Sequence, residues 1–259
     1  MKSSSVENRG LQFDRRWMLV DENNKFLTQR EFPKMATIEV EILKNDLSVS
    51  SDGKSLEIPL EINSGETSVV KVWSSRCRAK IYGKRINNWF SDVLQTDCKL
   101  ALMPEETARK VNYFYAVHKD DTVSFADGYP ILLIGEESLT DLNSRLETPV
   151  PMNRFRPNLV VSGTDAFAED GWKQIKIGGA IFHVVKPCGR CVMTTIDQKN
   201  GEKQGTEPLK TLASYRIPKR SVKRKILFGQ NLIVDIAGGM IKIGDKVKVI
   251  EIKNKPKFS

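Results

Sequence analysis

The chain is poor in cysteine and poorer still in histidine, with four and two in 259 residues. Four cysteines are too few for the disulfide framework of a small secreted domain. No apolar run approaches the ~18 residues of a membrane-spanning helix. The longest, around Tyr129 to Gly135, is short and reads as a buried strand. The start, Met1-Lys2-Ser3-Ser4-Ser5, has no apolar stretch after it of the kind a secretory signal needs. No Gly-x-Gly-x-x-Gly dinucleotide fingerprint follows any strand-like segment. Internal repeats and low-complexity linkers are missing as well. These absences point to a globular chain with no membrane span, working in a reducing compartment, the cytoplasm.

What is present suits that reading. Hydrophobic residues make up 40% and charged residues 28%, close to the globular average. The length allows one large domain or two ordinary ones. Lys and Arg outnumber Asp and Glu by 41 to 32, a net charge of +9. Such a balance suits polyanionic partners: nucleic acid, an anionic membrane, or a phosphorylated cofactor or substrate. Part of the charge sits in Arg216-Ile-Pro-Lys-Arg-Ser-Val-Lys-Arg-Lys225, whose plain reading is a solvated loop. A nucleic-acid-binding β module would need interleaved aromatics that the chain lacks, so no nucleic-acid partner is expected.

The first third reads as β. Trp17 to Val20 and Phe26 to Arg30 flank the turn-rich Asp21 to Lys25, which predicts a hairpin. Ala36 to Leu43 places Ile38, Val40 and Ile42 on one face at period two. Ser51-Asp-Gly53 reads as a turn, with strands at Leu56 to Leu60 and Ser68 to Trp73. From Asn87 onward Trp89, Phe90, Val93 and Leu94 recur at helical spacing. Ser138-Leu-Thr-Asp141 has the capping-box pattern and predicts a helix opening there and running to Leu146. Strands return at Leu159 to Ser162, Trp172 to Ile177 and Ala180 to Val185, and an antiparallel set closes the chain at Asn231 to Ile236 and Lys242 to Ile252. The fold class is mainly β with some α, with a boundary near residues 115–120.

The segment richest in chemistry is Lys186 to Asp197, which contains Cys188-x-x-Cys191. A zinc knuckle needs four ligands, and Cys77 and Cys98 are distant and not paired at knuckle spacing. A thioredoxin-like dithiol belongs at a helix start in a βαβ unit, whereas Val192 to Ile196 is β-branched and strand-like. A single thiolate bound to a soft metal is the third reading, with Arg190 beside Cys191 favouring the thiolate. An inert buried pair is the fourth. His183, within a strand, reads as a satisfied core or edge residue.

Pro187-Cys-Gly-Arg-Cys-Val-Met-Thr-Thr-Ile-Asp197 resembles the signature of the MOSC family, the molybdenum cofactor sulfurase C-terminal domains. Arg154-Phe-Arg-Pro-Asn158, Phe125-Ala-Asp-Gly-Tyr-Pro130 and Phe228-Gly-Gln-Asn231 continue the match. Gly10 to Asp21 resembles the β-barrel domain that precedes MOSC in the subgroup of YcbX-like proteins and mitochondrial amidoxime-reducing components. The resemblance implies an N-terminal β-barrel-like domain over residues 1–115 and a MOSC β-barrel domain over 116–259, with a molybdenum–molybdopterin cofactor.

By that resemblance Cys191 is the molybdenum ligand. Gly189, Arg190, Arg154, Arg156, Asn158, Arg15, Asp127, Gly128 and Asn231 match cofactor-contacting positions. Planar guanidinium groups suit the pterin phosphate, and a soft metal suits a thiolate. Asp197 is either a proton relay near the metal or an aspartate holding the turn at Gln198 to Gly201. The implied activity is reduction of small N-hydroxylated compounds: hydroxylamines, amidoximes or modified bases. The alternative is a carrier of cofactor or sulfur without turnover of its own. A pyridoxal phosphate-binding role also attaches to the family. No cysteine follows Cys191, so the chain has no iron–sulfur extension, and electrons are expected from an external donor protein. In the family a Lys-Ser pair on a first strand precedes Asp-Arg by a longer segment than separates Lys2-Ser3 from Asp14-Arg15 here. That spacing leaves either a missing first strand, with an exposed barrel edge, or a chance echo of the pair.

Overall fold

A computed structural model describes residues 2–62, 65–219 and 222–254. Two compact units emerge, and the chain passes between them more than once. One holds residues 1–14, 110–195 and 204–259; the other holds 15–109 and 196–203. The units are therefore not separated by a single cut.

The chain opens with β1 (Ser3–Glu7) and β2 (Gly10–Leu11). The second unit follows with β3 (Trp17–Val20), β4 (Glu39–Ile42), β5 (Asp46–Ser51), β6 (Lys54–Pro59), β7 (Glu66–Val72), β8 (Ser75–Ile81), α1 (Lys84–Leu94) and β9 (Lys99–Leu102). Its antiparallel sheets run β4-β5-β6 and β3-β9-β8-β7. The β5–β6 hairpin turns through Asp52 and Gly53, both at positive φ, 50° and 74°, the geometry that gives Asp-Gly its hairpin preference. Helix α1 buries Ile86, Phe90, Val93 and Leu94 against Leu19, Leu47, Val49 and Ile58. It ends where Gln95 turns left-handed at φ 52°. The predicted strand over Ala36 to Leu43 is half correct: Pro33 and its neighbours form a 3-10 turn as far as Thr37, and only Glu39–Ile42 is extended. Proline at the first position suits such a turn and donates no ladder hydrogen bond.

The first unit continues with β10 (Ile131–Gly135), α2 (Glu136–Asn143), β11 (Leu159–Val161), β12 (Trp172–Ile177), β13 (Ala180–Gly189), α3 (Leu209–Tyr215), β14 (Leu227–Ile236), β15 (Met240–Lys242) and β16 (Val247–Ile252). Its main sheet has the order β11-β10-β14-β13-β12-β16. Only β10 and β11 are parallel. Strand β10 is apolar throughout because both of its faces are covered. Leu133 joins the core with Phe182 and Leu232, and Ile134 joins Leu142, Phe155, Leu212 and Phe228 beneath the helices. Strand β1 is present and pairs with β15 from Ser3↔Lys242 to Ser5↔Met240.

Ser138 corrects a second expectation. Helix α2 begins at Glu136, two residues earlier than the capping box predicts. The Ser138 hydroxyl is buried inside the helix, where it donates to Glu169 (2.8 Å to Oε1) and accepts from the Phe167 amide (2.7 Å). Tertiary partners have displaced the local cap. Burial pushes the Glu169 carboxyl above its usual range. Among the described residues no helix is long and apolar enough to cross a membrane.

Candidate functional site

The cysteine segment lies at the end of the β13–β14 ladder. The two strands are antiparallel, with Pro187 opposite Gln230 and Gly189 opposite Leu227. One residue further on, the Arg190 amide donates to the Ile226 carbonyl at 2.8 Å. The chain then turns. Val192–Thr195 is a 3-10 turn and not the strand its β-branched residues predict. The cause is local: the amide and hydroxyl of Thr194 both donate to the Cys191 carbonyl (3.1 and 3.0 Å), and the Thr195 hydroxyl donates to that of Val192 (2.8 Å). Threonine hydroxyls used in this way compete with a ladder. Cys191 is left half-buried at the corner.

Arg190 acts on the other cysteine. Its Nη1 donates to Cys188 Sγ at 3.1 Å and its Nη2 to the Phe155 carbonyl at 2.7 Å. The guanidinium also lies over the Phe155 ring, 5.4 Å from the centroid. Sequence adjacency to Cys191 does not translate into a bond to it. The arginine fastens the cysteine loop to the 3-10 turn Met152–Phe155, which carries Arg154 and is followed by Arg156. Arg154 is buried and donates through Nη2 to Gln204 Oε1. Arg156 follows in the left-handed conformation, φ 55°, and is exposed.

Asn158 is committed to the fold. Its Oδ1 accepts from the Leu132 amide at 2.9 Å, and its own amide donates to the Leu132 carbonyl at 2.8 Å. Asn231 lies in β14 between Leu132 and Lys186. Asp127 is exposed in the loop before β10, and Gly128 beside it has open space where a Cβ would stand. Tyr129 packs edge-on against Tyr115, and Lys186 Nζ lies 4.2 Å from the Tyr115 ring centroid. Burial, together with Tyr115, pushes Tyr129 up to about 12.

Arg15 and Asp197 belong to the second unit. Arg15 has φ 51°. The Asp197 carboxylate accepts from the Lys199 amide at 2.8 Å, and its carbonyl accepts from Gly201 at 2.8 Å. That is the arrangement of a turn aspartate.

Much of Phe228-Gly-Gln-Asn231 is structural. Phe228 packs against Phe155, ring centroids 4.5 Å apart and tilted by 41°. Gly229 has φ 78°, and a Cβ there would come 2.7 Å from Ile134. Gln230 donates to Asp170 at 2.6 Å. Arg216, first of the basic stretch, is buried in an ion pair with Asp170 at 2.6 Å and does not belong to a solvated loop. Arg220 and Ser221 of that stretch lie outside the described residues. Neither Asp170 nor Gln204 stood out in the sequence, because a long-range partner leaves no local pattern.

Both histidines of the chain meet one carboxylate. His118 Nε2 lies 2.7 Å from Asp235 Oδ1, and His183 Nε2 lies 3.2 Å from Oδ2. Gln174 also donates to Oδ2 at 3.0 Å. The bond to Asp235 holds His118 above the usual 6.5. Burial would raise Asp235, but its histidine partners outweigh burial and hold it low. In Asp235→Asn the His118 titration is expected to fall back towards 6.5, as read from ring-proton NMR shifts. An unchanged midpoint would contradict the assignment. Because the folded midpoint is raised, the stabilisation from this pair is complete below the unfolded midpoint and is lost as pH rises through the folded one.

The donor set fits a phosphorylated, sulfur-ligated metal cofactor. It offers one half-buried thiol at a corner, an exposed arginine on the neighbouring turn, and a buried Arg190 Nε that has no hydrogen-bond partner among the described residues.

Comparison with known proteins places these features in context. A family model described as the MOSC N-terminal beta barrel domain matches residues 1–97, and one described as the MOSC domain matches 120–248. Mitochondrial amidoxime-reducing component 1 of Xenopus laevis is 32% identical over 248 residues, covering 90% of this chain and 71% of that protein. Mitochondrial amidoxime reducing component 2 of Rattus norvegicus is 33% identical, covering 90% and 72%. Molybdenum cofactor sulfurase of Oryza sativa subsp. japonica is 33% identical over 95% of this chain, which spans 33% of that protein's length.

Proposed function

The chain belongs to the MOSC family, and from that premise we propose that it is a molybdenum cofactor-binding oxidoreductase reducing N-hydroxylated compounds with electrons from a separate donor protein. The observation that carries the reading is the half-buried Cys191 at the strand-to-turn corner, with Arg156 on the turn that Arg190 fastens to it. Support also comes from the names of its relatives, amidoxime-reducing components that align over most of the chain. When bound, the cofactor supplies a two-electron removal of oxygen from an N-hydroxyl group, chemistry that belongs to the group itself and not to the protein.

The protein's share is positional. Cys191 offers a soft ligand on a carbonyl-pinned corner. Arg190 orients the loop through Cys188 and Phe155. Arg156 takes the anionic end. Asn231, Asp127 and Gly128 would supply further contacts to the cofactor. Hydroxylamines, amidoximes and modified bases are the substrate class.

The test is turnover of the molybdenum-loaded protein on benzamidoxime, with reduced viologen as donor and with NADH alone. Benzamidine formed with viologen and not with NADH is the expected result. Full loading without turnover would contradict the reductase reading. Arg156→Ala removes a charge-assisted contact worth about 1.5–3 kcal/mol, so pterin affinity should fall about 10- to 100-fold with the fold intact. Pterin content equal to wild type would remove Arg156 from the site.

A further inference from the structure

We propose that Lys225 is a specificity-determining residue at this site, favouring substrates that carry an anionic group such as a carboxylate or a phosphate; this rests on the reductase reading above. Gly189 stands opposite Leu227 in the antiparallel ladder, and the next step is the bond from the Arg190 amide to the Ile226 carbonyl, 2.8 Å. Lys225 is the residue just before Ile226, at the end of the ladder from which the cysteine loop departs.

The side chain is positioned as well as the backbone. A Cβ on Gly189 would come 3.3 Å from Lys225 Cδ and 3.8 Å from its Cβ, so the lysine stem lies along the cysteine loop. Glycine at 189 leaves that space to the lysine. The residue is exposed, and no partner for its ammonium is found among the described residues. The neighbouring cations differ. Arg190 is engaged with Cys188 and Phe155, and Arg154 is buried against Gln204. Lys225 thus presents a cation on a long stem at the corner where a substrate would approach. An ammonium is a compact point charge on a flexible stem and suits an anionic substituent more than a planar bidentate group.

The experiment compares benzamidoxime with 4-carboxybenzamidoxime, which differ by one negative charge. Wild type, Lys225→Ala, Lys225→Arg and Lys225→Glu are assayed as molybdenum-normalised holoenzymes with reduced viologen. The ratio of KM for the anionic substrate to KM for the neutral one should rise about 2- to 5-fold in Lys225→Ala and further in Lys225→Glu, and return in Lys225→Arg. The difference should shrink at high salt. A constant ratio across the variants would overturn the proposal. Calorimetric binding of 4-carboxybenzamidoxime to the same holoenzymes gives a reading independent of turnover. If wild type reduces neither compound, the reductase reading fails. In that case Lys225 stands on weakened binding in Lys225→Glu and falls if wild type and variant bind alike.

Discussion

Replacing Cys191 with Ala is expected to abolish metal retention and activity, whereas Cys188→Ala should keep most of both. The two thiols are three residues apart and equally half-buried, so composition and exposure do not separate them. Their surroundings do. Cys188 accepts from the Arg190 guanidinium at 3.1 Å and is spent on fastening the loop. Cys191 sits past the end of the strand, where its carbonyl is pinned by Thr194. A protein thiolate contributes to a soft metal a bond that water or a hydroxyl does not replace. Metal analysis of both variants, prepared beside wild type, checks the asymmetry. Equal molybdenum in wild type and Cys191→Ala would contradict it, and loss in Cys188→Ala alone would reverse the assignment.

The second large effect is on stability. Asp170→Ala should destabilise the first unit by about 3–5 kcal/mol, because it leaves a buried guanidinium uncompensated. Asp170 Oδ2 accepts from Arg216 and Oδ1 from Gln230, both at 2.6 Å, and Arg216 also donates to the Leu227 carbonyl at 3.0 Å. Removing the carboxylate exposes three elements to the loss: β14, α3, and the turn before β12. At roughly 2–4 °C per kcal/mol for a unit of this size, the thermal midpoint falls by about 6–20 °C. Replacing both partners together, Asp170→Leu with Arg216→Met, should cost much less than either single change, since the desolvation of two charges is relieved. A thermal scan of the three variants decides it. A single mutant as stable as the double would refute the buried-pair account.

The parts of this fold that were legible in the sequence are those set by local pattern. The Asp52-Gly53 hairpin follows from positive φ at both positions. Helix α1 follows from its apolar spacing, and the apolar β10 from burial on both faces. Other segments departed from the pattern where a distant partner, or a side chain bonding its own near neighbours, outweighed it. Ser138 has the residues of a cap, but Glu169 and Phe167 claim its hydroxyl. The Val192 to Thr195 run is β-branched, but its threonine hydroxyls fold it into a turn. Arg190 is next to Cys191 in sequence, but it bonds Cys188. Arg216 heads a basic stretch, but Asp170 draws it into the interior. Lys225 had no sequence signal beyond its charge, because the packing of its stem along Gly189 exists only in three dimensions.

The central claim is that this chain holds a molybdenum–pterin group through Cys191. Metal and pterin analysis of the wild-type protein, purified from a host that makes the cofactor, tests it most directly. The account predicts about one molybdenum per chain, matched by an equal amount of pterin. Protein that comes out folded but with zinc or no metal, and with no pterin, would contradict it.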